Sequence, residues 1–271
     1  MGLRINTNVP AMNTGRMLAR STSALNQSLQ RLSSGLRING AADDAAGLAI
    51  AESFRSQVRG TQVAQRNAQD GVSLVQTAEG ALSETTNILQ RIRELAIQAA
   101  NGTQSNNNRA AMEGEVQQLL AQINSIAIDT EFNGIRVLSS AQTVTLQSGA
   151  MTSQTLSVAL SGAKTNDLGV NAIHVSSMAL ATAAISTIDT AIKSVSTLRS
   201  NLGAYQNRLE FTINTLAIQE ENAAAAESAI RDADIASETI AFTRNQILVS
   251  AGTSVLAQAN IMPQAALALL G

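Results

Sequence analysis

The sequence predicts a mainly α protein, a long antiparallel helical bundle or coiled coil with paired N- and C-terminal helices and a small β-hairpin region. Three observations lead there. Apolar residues recur at three- and four-residue spacing through most of the chain. The two prolines, Pro10 and Pro263, stand near the ends, so nothing between them blocks a helix. The apolar content, 45% of 271 residues, is drawn largely from Ala, with Tyr205 and four phenylalanines as the only aromatic side chains. Large aromatics contribute much of the burial in globular cores and small-molecule pockets. Ala, Leu, Gln and Arg instead favour long helices packed side by side.

The first segment places Leu18, Leu25 and Leu32 seven apart, interleaved with Leu29 and Leu36. That is a helix with one narrow apolar seam, which needs a partner helix. Asn39-Gly40 and then Asp43-Asp44 are a turn signal followed by capping side chains, so the helix breaks at 39–44. From Ala45 to about Ala100 one face carries Ala68, Val72, Val75, Ala78, Leu82, Leu89, Ile92, Ala96 and Ala99. A single helix of that extent is on the order of 80 Å long. Asn101-Gly102 and the polar run to Asn108 end it, and a second helix carries Met112, Val116, Leu119, Ile123 and Ile126.

Phe132-Asn133-Gly134 is a turn signal, and after it the period falls to two. Val144 and Leu146, then Leu156, Val158 and Leu160, alternate with polar neighbours, which predicts one or two short β-hairpins near 135–162. Helical spacing returns from Ser176 through Ile185, Ile188, Ile192, Val195, Leu202, Leu209, Ile213 and Leu216 toward Asp232. A last segment has Leu248, Val255, Met262 and Leu269 seven apart, with Gly252, Ala259 and Ala266 between them, small residues that let another helix come close. The expected division is therefore a terminal coiled-coil domain of 1–44 plus 233–271, and a helical core domain of 45–232. Leu18, Leu25, Leu29, Leu32, Leu36, Leu248, Val255, Met262 and Leu269 form its expected assembly seam. A pair of narrow seams is marginal in water, so both termini are expected to be largely disordered in the monomer and to become helical only when neighbouring copies cover them.

The chemistry of an enzyme is missing. No cysteine is present, so neither disulfides nor thiolate metal sites exist, and the sole histidine, His174, sits in a connection without a nearby acid or nucleophile motif. There is no phosphate loop, dinucleotide fingerprint or two-histidine zinc motif, so neither a cofactor nor a metal is expected. Asp43-Asp44 and Asp232 with Asp234 read as helix caps rather than cation ligands. With 18 basic and 20 acidic side chains and no basic tract, nucleic acid is not a partner. No apolar run reaches the ~20 residues that a membrane span needs, so membrane insertion is not expected either. Met1 to Asn8 lack the apolar stretch of a secretory signal, so any export uses a route that removes none.

Placed on these helices, Leu32-Ser33-Ser34-Gly35-Leu36-Arg37-Ile38-Asn39, Asp43-Asp44-Ala45-Ala46-Gly47 and Gln90-Arg91-Ile92-Arg93-Glu94-Leu95-Ala96 become recognisable, as do Phe132-Asn133-Gly134 and the run from Ala251-Gly252-Thr253-Ser254 to Asn260. In order and in distance from both ends they closely resemble bacterial flagellin, over nearly the whole chain. The resemblance implies a non-enzymatic filament subunit whose terminal segments line an inner tube, with the long helices and hairpin forming an outer tube. Only Lys164 to Val175 stand where larger flagellins carry surface domains, which implies a core-only form. Gly271 replaces a commonly basic last residue.

The resemblance further implies export unfolded through the flagellar type III channel to an extracellular filament. Its implied partners are other copies of the chain, the flagellar cap, hook-associated junction proteins and an export chaperone on the C-terminal segment. Many flagellins are detected by an animal Toll-like receptor, and Arg91, Leu95 and Glu115 match the positions that matter there. Leu119 stands where receptor-active relatives carry a basic residue, so receptor binding is left open. The nearest alternative is a hook–filament junction protein, which shares the terminal helices but is usually longer and diverges in the Leu32–Asn39 stretch. A secreted pore-former needs an apolar hairpin that this sequence lacks, and an embedded zinc protease needs more than one histidine.

Overall fold

The structure, a computed structural model, describes residues 7–268, with side chains to Ile261. In chain order these form α1 (Val9–Ser34), α2 (Ala45–Ala99), α3 (Asn106–Asp129), β1 (Glu131–Phe132), β2 (Ile135–Arg136), β3 (Gln142–Gln147), β4 (Thr155–Leu160), α4 (Met178–Arg231) and α5 (Ile235–Ala268). The chain divides into two compact units, one running to Ser56 and resuming at Asn222, the other Gln57–Glu221. The junctions lie inside α2 and α4, whereas the loops expected to separate domains, at 39–44 and around Asp232, fall within the terminal unit.

The terminal unit is built on the antiparallel pair α1 and α5. Asn8 caps α1 by accepting from the Ala11 amide, with Pro10 in the first turn, where a missing N–H loses nothing. Gly35 ends the helix in the left-handed region (φ +72°), donating to the Arg31 carbonyl. Leu36 is therefore not a seam residue, as the sequence suggests, but lies past the helix end in a β-bridge with Asp232.

The Asn8 side chain donates to the Ala259 carbonyl at 2.8 Å at one end of the pair, and Arg31 meets Glu238 at 3.5 Å toward the other. Between them the shielded positions of α1 include Ala11, Thr14, Leu18, Ser21, Leu25, Ser28 and Leu32, with Gly15 and Ala24 beside them, and those of α5 include Phe242, Asn245, Val249, Gly252, Leu256 and Ala259, with Ala241 beside them. Both series step by three and four, the coiled-coil rhythm.

The heptad spacing expected of α5 is thus present but its phase is shifted by one residue. Leu248 and Val255 point outward, 48% and 55% exposed, and Leu29 of α1 is 46% exposed. Close approach is the cause. A Cβ on Gly252 would stand 3.2 Å from Leu18 Cδ1, so Leu18 packs directly onto the glycine, which sets Gly252 with Val249 and Leu256 on the inner face and leaves Leu248 and Val255 outside it. The Met262 side chain and Leu269 lie outside the described residues.

The loop 35–44 is held by its aspartates. Asp43 Oδ2 accepts the Asn39 and Gly40 amides at 3.0 and 3.2 Å, bonds that hold its carboxyl below the usual range, and Asp44 caps α2 through the Gly47 amide. Asp234 caps α5 through Ala236 and Ser237. The Arg37 amide donates to the Arg231 carbonyl, and the Arg231 side chain pairs with Glu52 at 3.0 Å. These bonds tie the loop to the first turns of α2 and the last of α4, which explains where the unit ends.

In the middle unit every residue expected on the inner face of α2 is buried. On α3 the stripe is rotated slightly: Met112, Val116 and Ile123 are buried with Leu120 and Ala127, while Leu119 and Ile126 are half-buried. Arg93 pairs with Asp189 and Arg199 with Glu79 across α2 and α4. The β1–β2 hairpin turns on Asn133 (φ +50°) and Gly134 (φ +78°), the left-handed pair that a two-residue hairpin loop requires. The β3–β4 ladder runs from Gln142↔Leu160 to Gln147↔Thr155 and sends Leu156, Val158 and Leu160 into the core. Gly71 of α2 lies against Leu146 and Leu209, where a side chain would collide, so the hairpin and α4 both seat directly on α2.

Candidate functional site

Among the described residues the titratable side chains do not gather at one site. Among the described residues no three ligating side chains are placed to hold a metal ion, and none of the helices described is long and apolar enough to cross a membrane. His174 does have an acid beside it, unlike the expectation from sequence: its Nδ1 is 2.7 Å from Glu113 Oε1, although the ring is half exposed. Glu113 also accepts the Val175 amide at 2.5 Å and Gln117 Nε2 at 2.8 Å. Partial burial pushes this carboxyl up, and the bonds from Val175, His174 and Gln117 outweigh it, leaving its pKa below the ordinary value. Gln117 donates in turn to the Ile173 carbonyl, and Asn124 accepts from Thr165. The group is a clamp that fastens the 164–175 connection onto α3.

Of the three residues matched to receptor contacts, the structure brings two together. Arg91 Nη2 and Nε both donate to Glu115 Oε1, at 2.9 and 3.1 Å, and Nη1 reaches Glu94 at 3.2 Å. The bonds from Glu115 and then Glu94 raise the guanidinium pKa further. Leu95 is not with them at the surface: it is 3% exposed and belongs to the core of its own unit. Leu119 is half-buried.

What the terminal unit does present is apolar surface. Outside its seam α5 exposes Ile240 (63%), Ile247 (63%), Leu248, Val255 and Ile261 (60%), and α1 exposes Val9, Met12, Met17 and Leu29. Thr239, Ile240, Thr243, Arg244, Ile247 and Leu248 border one shallow groove along α5. Soluble monomers rarely leave such a run of large aliphatic side chains in water, and contiguous patches of this kind mark association surfaces. The sequence reading found Leu248 and Val255 but missed Phe242, Val249 and Leu256. Their three- and four-residue spacing is present in the sequence, but so is that of the outer stripe, and only the partner helix decides between the phases.

Long helices and an apolar helix face left uncovered by the subunit's own fold are features of a structural protein built to associate. Residues 5–143 match the family described as bacterial flagellin N-terminal helical region, and residues 185–270 match bacterial flagellin C-terminal helical region. The chain is 47% identical to the flagellin of Halalkalibacterium halodurans over 274 residues, covering 98% of this chain and 99% of that one. It is 44% identical to the flagellar filament 31.3 kDa core protein of Treponema maltophilum over 283 residues, 98% and 99% of the two chains. The crystal structure of Bacillus cereus flagellin matches with 31% identity and a TM-score of 0.49, covering 56% of this chain and 88% of that one.

The chain belongs to the bacterial flagellin family, in a short, core-only form. It is a structural subunit of the flagellar filament, which is extracellular, and nothing in these matches favours a junction protein.

Proposed function

We propose that the chain polymerises through the faces of α1 and α5 that its own fold leaves open. The observation that carries this reading is the outward phase of Ile240, Ile247, Leu248, Val255 and Ile261, all about half exposed or more on a helix whose other face is already paired. Apolar burial between copies is the driving force, roughly 25 cal/mol per Å² removed from water. In this reading the terminal unit lines the inner tube and the middle unit forms the outer one. The subunit performs no catalysis. It leaves the cell unfolded through the flagellar type III channel, a route that a chain without disulfides suits, and joins the growing end beneath the flagellar cap, beyond the hook-associated junction proteins. The export chaperone holds the C-terminal segment by the same stripe and so keeps it from assembling early. A Toll-like receptor would meet the exposed Arg91 and Glu115, with Leu95 supporting them from beneath.

Replacing Leu248 and Val255 by Glu tests the central claim. Both side chains are outside the intramolecular seam, so the free subunit should keep its helical circular dichroism while seeded filament growth stops. Normal growth of the double variant would overturn the reading.

A further inference from the structure

We infer that Met12 and Met17 form an oxidation-sensitive site at which a peroxide, acting on the free subunit, blocks its incorporation. The inference rests on assembly through the terminal helices as proposed above. Met12 is 65% and Met17 54% exposed. Both lie on α1 outside the positions that face α5, and together they are two of the four large apolar side chains that α1 leaves in water, with Val9 and Leu29. Half of that helix's outward apolar anchorage is therefore thioether, the one aliphatic group that a mild oxidant can make polar. Met112 of the middle unit, 8% exposed, is an internal control for a shielded sulfur.

The step balances without a further reactant. The sulfur lone pair attacks one peroxide oxygen, the O–O bond breaks as the S–O bond forms, the thioether is oxidised by two electrons to the sulfoxide, and the peroxide leaves as water. The product carries a strongly accepting oxygen on a face that growth must dehydrate. Burying such a group without a donor opposes association. The effect is confined to subunits awaiting assembly, because the same burial that a sulfoxide prevents also shields the sulfur once it is in place.

Each of the seven methionines falls in a different tryptic peptide, so the positions can be read separately. Full-length free subunit and pre-formed filaments are treated with hydrogen peroxide, digested and measured by mass spectrometry, and the treated subunit is added to seeds. Expected are sulfoxides at Met12 and Met17 in the free subunit but not in filaments, Met112 unchanged, and elongation slowed about tenfold or more by the buried polar groups. Methionine sulfoxide reductases of both stereospecificities should restore growth. In the M12L/M17L variant, whatever its untreated rate, peroxide should leave that rate unchanged. Full-speed elongation by subunits carrying both sulfoxides, or equal peroxide sensitivity of the double variant, overturns the inference. Deletion of 1–34 separates the two claims: if the deleted chain cannot elongate while the sulfoxidised one can, only the oxidation site is wrong, and if the deleted chain elongates, assembly through α1 is wrong as well.

Discussion

The terminal and middle units are made from the same aliphatic alphabet and the same helical spacing, yet they close differently. In the middle unit Leu82, Leu89, Ile92, Ile123, Ile188 and Leu209 are almost completely removed from water by α2, α3, α4 and the hairpin together. In the terminal unit the only residues of α1 and α5 that are buried, among those described, are Ser28 and Ala259. Two helices cover one seam between them; a third surface is needed to cover the rest. The difference teaches that spacing alone does not make a core, and that a helix pair with half its apolar stripe uncovered still offers that stripe for association.

The same truncation made in both units gives the largest contrast. Leu209→Ala opens a cavity where no solvent enters and should lower monomer stability by about 2–5 kcal/mol, whereas Leu18→Ala, at a half-buried seam position, should stay near ~1 kcal/mol or below. Chemical denaturation of the monomer followed by circular dichroism reads both. Equal losses would abolish the distinction between the units. Limited proteolysis asks the same question of the backbone: the monomer should be trimmed from both ends toward a fragment near 57–221, and filaments should resist.

A second, smaller effect belongs to Arg109, which is 8% exposed and donates to the Ala99 carbonyl at 2.9 Å and the Asn101 carbonyl at 3.0 Å. It caps the C-terminal end of α2 from the first turn of α3, where a cation is favoured. Arg109→Met should cost about 1–3 kcal/mol by leaving those carbonyls unmet. Faster amide exchange at the α2–α3 turn, with the far end of the unit unaffected, is the expected signature. A uniform loss of protection through the unit would mean that the side chain acts by packing instead.

What the sequence made legible and what it did not divide along the same physical line. The start of α2 at Ala45 and its end at Ala99 were readable because Asp44 and Asn101-Gly102 act within a few residues of themselves, and the β1–β2 turn was readable because Asn133-Gly134 carries its own backbone preference. The outward phase of Leu248 and Val255 was not, since it is set by Leu18 pressing on Gly252 from the other end of the chain. Leu36 looked like a fifth seam residue because its spacing fits, and Gly35 one position earlier stops the helix. The Glu113–His174 clamp and the Arg109 cap have no local signal at all: one joins side chains 61 positions apart, the other a guanidinium to main-chain carbonyls.

The clamp offers a pH test confined to the middle unit. The Glu113 carboxyl has a pKa below its ordinary value in the folded chain, so it binds a proton less readily there than when unfolded, and its contribution is fully present above the unfolded pKa and fades as pH falls through the folded one. Glu113→Gln should remove about 1 kcal/mol at neutral pH. The loss should shrink on acidification below the ordinary glutamate range, as the wild type gives up the same interaction. Protection of the Val175 amide should follow the same curve. A wild-type–variant difference that stays constant from neutral to acid pH would show that the carboxylate charge is irrelevant to the clamp.

The smallest expected change concerns Gly203 in α4, where an alanine is the better helix former by about 0.5–1 kcal/mol. A glycine at a helical position often marks a close neighbour, but apart from its own helical turn no atom of the described residues lies within 4 Å of where its Cβ would stand. The packing of the folded subunit therefore does not require it. If the gap serves a contact, the neighbour is another copy, which would give the well-closed middle unit an assembly face of its own. Gly203→Ala should then raise the melting temperature of the monomer slightly and still alter filament shape or growth. Gly80→Ala in α2, equally free of neighbours within the chain, supplies the comparison for the stability gain alone. Filaments of the Gly203 variant that are indistinguishable from wild type by electron microscopy, together with the expected rise in monomer stability, would assign assembly back to the terminal unit and leave the glycine without a structural role.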